Sequence, residues 1–277
     1  MRKLLPLSML LCSCIALAGN NDALQTCYND KIPAKNLVAD TEIFLVIDQT
    51  TMFDSSLEQS VADNVRPFLK SGNAFSVTQF SAFTQGHYTD VMVSGRLDTE
   101  LPNAVRNDVS KPVLTKFDQC MTLQPRLAGQ LVGQAMKVAF GGSSSDITRS
   151  DIFASLKDIS GKVRQSPAQH KIVLLASDML ENSSVTSFYA HQTVRQINVD
   201  KELKLVADNQ LYGDFGGARV YVIGAGLLAE DAKQPRGIYR STQTMQALSK
   251  FWGTYFQKSN AELVEFGQPA LLNLIHN

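Results

Sequence analysis

Glu42 to Met52 reads EIFLVIDQTTM, and the fold turns on this stretch. Ile43 to Ile47 are apolar without a break, too short for a core helix and lacking the alternation of a half-exposed strand. Such a run suits a strand buried on both faces of a parallel sheet. It ends on a carboxylate, Asp48, followed by the polar residues Gln49, Thr50 and Thr51. Two later runs share its character. His170 to Ala176 (HKIVLLA) closes on Ser177-Asp178, and Ala218 to Ala225 (ARVYVIGA) closes on glycine.

Helical spacing separates these strands. Asp54 to Lys70 places Leu57, Val61, Val65 and Phe68 on one face, with Asp54 or Ser55 available as cap and Gly72 as stop. Leu123 to Phe140 carries Leu127, Leu131, Ala135 and Val138 and ends at Gly141-Gly142. Ser150 to Val163 has Ser150 as N-cap and Asp151 in the first turn, where negative charge is favoured. Ser241 to Gln257 sets Phe251, Trp252, Tyr255 and Phe256 at helical spacing, which predicts core packing. Ala261 to Phe266 is a last strand. Ala74 to Phe83 and Tyr88 to Leu97 both alternate, with Gly86 between them, and predict a hairpin at an antiparallel edge. The whole pattern predicts an α/β fold. It is Rossmann-like and doubly wound, a mostly parallel sheet with one antiparallel edge strand and helices on both faces.

Two stretches read less regularly. Leu97 to Leu114 contains Pro102 and Pro112 and no clear period, so residues of about 97–123 are expected to form an insertion. Ser183 to Leu211 is expected to be mostly helical.

Residues 1–18 match a secretory signal peptide. Arg2 and Lys3 form a basic start, Leu4 to Leu17 an apolar stretch, and Ala16-Leu17-Ala18 a cleavage site. Lipid attachment at Cys14 and an uncleaved anchor are the alternatives. Residues 19–40 then form an arm, and 41–277 the domain. No later segment approaches about 18 consecutive apolar residues, so the mature chain is expected to lack a transmembrane segment and to be periplasmic or secreted. Export puts Cys27 and Cys120 in an oxidising compartment, where a disulfide between them is expected. Lys+Arg and Asp+Glu both number 26. That balance leaves no basic field for nucleic acid.

Ligands of doubly wound sheets bind beyond the carboxyl ends of the strands. Asp48 and Thr50, Thr148 in the loop before the Ser150 helix, and Asp178 all fall there. Close carboxylates repel unless a cation or a proton lies between them, and hard oxygen ligands suit a magnesium-type ion. This order resembles the metal-ion-dependent adhesion site of the von Willebrand factor A family, over roughly Thr41 to Phe266. The resemblance implies a metal site of Asp48, Thr50, Thr148 and Asp178, with Ser150 and Asp54 behind it and Mg2+ as cofactor. It also implies recognition of a protein partner through an acidic side chain that completes the metal shell. Met52 departs from the pattern, standing where the family has a second serine; a thioether does not bind magnesium.

Three readings of function follow. The first is an exported adhesion-type or envelope-assembly binding module, not an enzyme. The second is a haloacid dehalogenase-like phosphohydrolase using Asp48 as nucleophile, although Thr50 stands where that family has its second aspartate. The third is a structural envelope protein with an inactive metal site. His87, His170, His191 and His276 show no zinc-helix spacing, no G-x-S-x-G elbow is present, and Gly224-Ala225-Gly226 reads as a tight turn.

Overall fold

The computed structural model describes residues 22–32, 38–84, 87–143, 150–190, 193–228 and 241–276. Residues 1–18, expected to be a signal peptide and including Cys14, and Thr148 lie outside the described residues. Six strands form one sheet: β1 (Thr41–Asp48), β2 (Ala74–Thr84), β3 (His87–Arg96), β4 (His170–Ala176), β7 (Ala218–Ile223) and β8 (Ala261–Phe266), in the order β3-β2-β1-β4-β7-β8. All neighbours are parallel except β2 and β3, the antiparallel edge pair. This is the doubly wound α/β architecture that the sequence pattern predicts.

Helices cover both faces. On one side α1 (Ser55–Val65) and the second half of α3 (Lys111–Gly141) pack on Ile43, Leu45, Ile47 and Tyr221. On the other, α4 (Ile152–Gln165), α5 (Val199–Asp208) and α6 (Thr242–Lys258) pack on Phe44, Val46, Val173 and Val220. Alternate residues of β1 thus serve opposite cores, which is why the run could not carry a polar face. Asp54 caps α1 by accepting from the Leu57 N–H at 2.8 Å, and Pro67 in the following 3₁₀ turn ends it. The aromatic set on α6 is core, as its spacing predicts: Phe251, Trp252, Tyr255 and Phe256 are fully buried.

Two expectations need correction. The first concerns Leu97 to Leu114, read as lacking a period, and the helix expected to start at Leu123. After the short α2 (Asn103–Asn107), α3 begins at Lys111 and runs 31 residues, straight through the expected start at Leu123. Pro112 falls in its first turn, where the missing N–H costs nothing. Pro125 removes one bond from the helix interior. The period is hard to read because the two halves face different partners. The first half packs with Cys27, Ile32 and Leu101 in a separate small cluster, while the second half, from Ala128 onward, faces the sheet. The second correction concerns Ser183–Leu211. It holds a two-strand ribbon, β5 (Tyr189–Ala190) with β6 (Thr193–Val194), and is helical only in α5.

The arm closes the small cluster. Cys27 and Cys120 form a disulfide. Buried Asp98 accepts from the Cys27 N–H at 2.6 Å and from the Gln124 amide at 2.8 Å. Further along, the Ala23 N–H donates to the Ser94 carbonyl at 2.8 Å, so the arm also shields part of the β3 edge.

Candidate functional site

The strand order reverses direction at β1, with β2 on one side and β4 on the other. The crevice at such a switch point, beyond the carboxyl ends, is where open α/β sheets bind ligands. Asp48 is the last residue of β1, and Asp178 follows β4 by two residues. Both side chains are buried, at 0% and 4% residual exposure.

Asp48 Oδ1 accepts from the Thr50 N–H at 2.9 Å and the Thr50 hydroxyl at 2.6 Å; Oδ2 accepts from the Ser177 hydroxyl at 2.7 Å. Asp178 Oδ1 accepts from the Leu180 N–H at 2.8 Å, and Oδ2 from the Tyr189 hydroxyl at 2.9 Å. Thr51 joins the two halves. It is buried, its Oγ1 accepts from the Asp178 N–H at 3.0 Å, and its side chain contacts both carboxylates. A neighbour of Thr50 would be expected to point away, but the chain turns tightly here, with the Thr51 N–H donating to the Asp48 carbonyl at 3.3 Å. That turn brings Thr51 inward and leaves Met52 the exposed residue, at 37%.

The backbone around Asp178 is held unusually. Met179 has φ +58° while fully buried, a left-handed geometry that costs about 1–3 kcal/mol and concentrates at functional segments. Its N–H donates to Ser177 Oγ at 3.0 Å, and its carbonyl accepts from the Trp252 indole at 2.9 Å. The Gly224 turn supports the same segment. Gly226 N–H donates to the Asp178 carbonyl at 2.8 Å. Gly224 has φ +101°, and a Cβ there would come within 2.6 Å of the Phe53 ring and 3.1 Å of the Ser177 carbonyl.

Electrostatics follow from burial. Desolvation pushes the Asp48 carboxyl up, opposed by its Thr50 and Ser177 hydrogen bonds. Desolvation, and then the charge of Asp48, hold Asp178 well above the ordinary carboxylate range. Burial and mutual repulsion thus disfavour two negative charges at this spot, and a proton or a cation between the carboxyls relieves both. A third acid lies three residues on. Glu181, also buried, accepts from the Phe153 N–H at 3.0 Å at the start of α4, and burial pushes it up to about 8. It serves the helix end where Asp151, the N-cap residue, makes no side-chain capping bond.

The donor set is entirely hard oxygen, and its excess negative charge is what a divalent cation relieves. Asp48, Thr50 and Asp178 are the residues that would hold one. Asp54 is committed to capping α1. Ser150 pairs its backbone with Asn182, and its buried hydroxyl has no partner among the described residues. Among the described residues, no three His, Cys, Asp or Glu side chains converge as a metal cluster. Thr51, Ser177 and Tyr189 were not singled out from the sequence. Thr51 and Ser177 adjoin singled-out residues, whereas nothing in the sequence marks Tyr189, which reaches Asp178 from the ribbon that was expected to be helix.

No family model matches the chain, and no curated protein matches it. Solved structures that the chain matches include the pilus adhesin SpaC from Lactobacillus rhamnosus GG, at 12% identity and TM-score 0.37, covering 81% of this chain and 31% of that one. An aerotolerance-related membrane protein from Bacteroides fragilis NCTC 9343 gives 7% identity and TM-score 0.34, over 82% of this chain and 92% of that one. The PilB minor pilin from Streptococcus sanguinis gives 14% and 0.33, over 82% and 63%. This chain thus spans less than a third of the adhesin's length. At these identities and TM-scores the likeness carries no argument about this chain.

Proposed function

We propose that this chain is an exported recognition module of the von Willebrand factor A type, working through the rim of its sheet and not through catalysis. The observation that carries this reading is the buried Asp48–Asp178 pair at the switch point between β1 and β4, tied together through Thr51. A divalent ion between the two carboxyls would present an open coordination position to an acidic group of a protein partner. The disulfide fits an oxidising compartment. No helix among the described residues is long and apolar enough to cross a membrane.

Thermal unfolding with added Mg2+, Mn2+ or Ca2+ tests the reading, because a ligand bound only by the folded state raises stability. The wild type gains stability in the presence of at least one ion, and Asp48→Asn and Asp178→Asn lose the gain. Capture of envelope proteins by the wild type, abolished in both variants, supports rim recognition; capture unchanged in both removes it.

One observation favours a second reading, a structural envelope protein with an inactive site. Every carboxylate oxygen of the pair already accepts from a protein donor. Complete indifference to all three ions selects that reading.

A further inference from the structure

At the end of the sheet opposite the acid pair lies a pocket of about 160 Å3, lined chiefly by Gln169, His170, Lys171, Gly216, Gly217 and Arg219. Its position follows from the register. Ile172 of β4 pairs with Arg219 of β7, so His170 and Arg219 belong to one face of the sheet and Lys171 to the other. Basic groups thus reach the pocket around both sides of the sheet's end.

Arg219 is fixed in place. One terminal nitrogen donates to the His276 carbonyl at 3.0 Å, the other to the Tyr221 hydroxyl, and the guanidinium lies 5.5 Å from the Tyr221 ring centre. That uses two of its five N–H donors. The Lys171 ammonium has one long contact, 3.5 Å to the Arg164 carbonyl. Room for it depends on Gly216, with φ +60°: a Cβ there would lie 3.0 Å from Lys171 Nζ and 3.2 Å from Arg164 Cα.

Neither cation forms an ion pair among the described residues. Two carboxylates sit across the strands, Glu42 opposite Lys171 and Glu262 opposite Arg219. Glu42 bonds the Ser166 hydroxyl at 2.5 Å, and no carboxylate lines the pocket. A concave site whose lining gathers a guanidinium, an ammonium and an imidazole, with Glu42 and Glu262 outside that lining, concentrates anions. Cationic residues supplied from opposite faces of the sheet suit an oxyanion with oxygens in several directions better than a planar carboxylate.

We propose that this pocket binds a tetrahedral oxyanion of the phosphate class, either free or carried as a phosphomonoester. It is independent of the rim, so its failure leaves the rim reading standing.

Isothermal titration of the full chain tests it, using inorganic phosphate, glycerol 3-phosphate and acetate. Saturable one-to-one binding of either phosphate is expected, weakened about tenfold in Lys171→Met or His170→Ala, one charged hydrogen bond being worth roughly that factor. Lys171→Arg should retain most of it, and Lys250→Met, an exposed charge on α6, should match the wild type. His170 begins its strand on the surface, so His170→Ala keeps the test decisive should Lys171→Met perturb folding. Tighter inorganic phosphate supports a free anion; tighter glycerol 3-phosphate supports a phosphoryl group on a larger molecule. No saturation, equal affinity in Lys171→Met and Lys250→Met, or acetate binding as tightly as phosphate overturns the proposal.

Discussion

Asp48 and Asp178 look equivalent in the sequence, yet their partners give them different work. Asp48 accepts three hydrogen bonds that oppose the upward push of its burial, whereas on Asp178 the charge of Asp48 adds to that push. Asparagine copies a protonated carboxyl. Asp178→Asn should therefore leave stability near the wild-type value, because its amide can reverse the bond to Tyr189. Asp48→Asn turns an N–H2 toward Ser177 or Thr50 and should cost about 1–3 kcal/mol, as read by urea unfolding. Glu181 gives a pH test. Its folded-state value of about 8 lies above the ordinary value of 4.5. Between those limits the folded chain holds a proton that the unfolded chain has released, so its contribution is full below 4.5 and is lost as pH rises to 8. Glu181→Gln keeps the acceptor for Phe153 and removes the titration. Unfolding measured from pH 5 to 9 should then fall less steeply, by on the order of 2–4 kcal/mol across the range. The residues whose roles were legible beforehand are those that end apolar strands, because a buried parallel strand leaves its chemistry at its tip. Thr51 was not singled out because ordinary alternation would turn a neighbour of Thr50 away, and that alternation fails inside a tight turn.

The strands and the sheet-facing helices were readable because each serves one core with one period. The α3 helix was readable only from Leu123 onward, where its second half covers the sheet. Its first half answers to the arm, and Gln124, turned in toward Asp98, marks the change of partner. The ribbon at Tyr189 was missed for a related reason. Two-residue strands carry no period at all, and their place is fixed by contacts such as Arg195 with Glu202 and the Ser187 carbonyl. The disulfide belongs to this scale, since it pins the arm to the first half of α3 across 93 residues of sequence. Replacing both cysteines with serine should cost about 2–5 kcal/mol, and calorimetry should show it. Amide exchange should rise mainly in 22–32 and 103–124, leaving β1, β4 and β7 protected.

Across the whole molecule, the sheet lies between two cores, with a buried acid pair at its carboxyl end and a pocket lined by basic residues at the other. The larger core is densest where Phe153, Phe188, Phe251 and Trp252 meet, with ring centres 5.1–6.3 Å apart. Phe251→Ala should cost about 3–5 kcal/mol, seen as a lower melting temperature with the circular dichroism of the native state retained below it. The chain has one tryptophan, and its indole N–H is anchored to the carbonyl next after Asp178. Its fluorescence is consequently an unlabelled reporter wired to the rim: any ion, proton or partner that disturbs the Asp178 segment should change that emission, while phosphate added at the far pocket should leave it still.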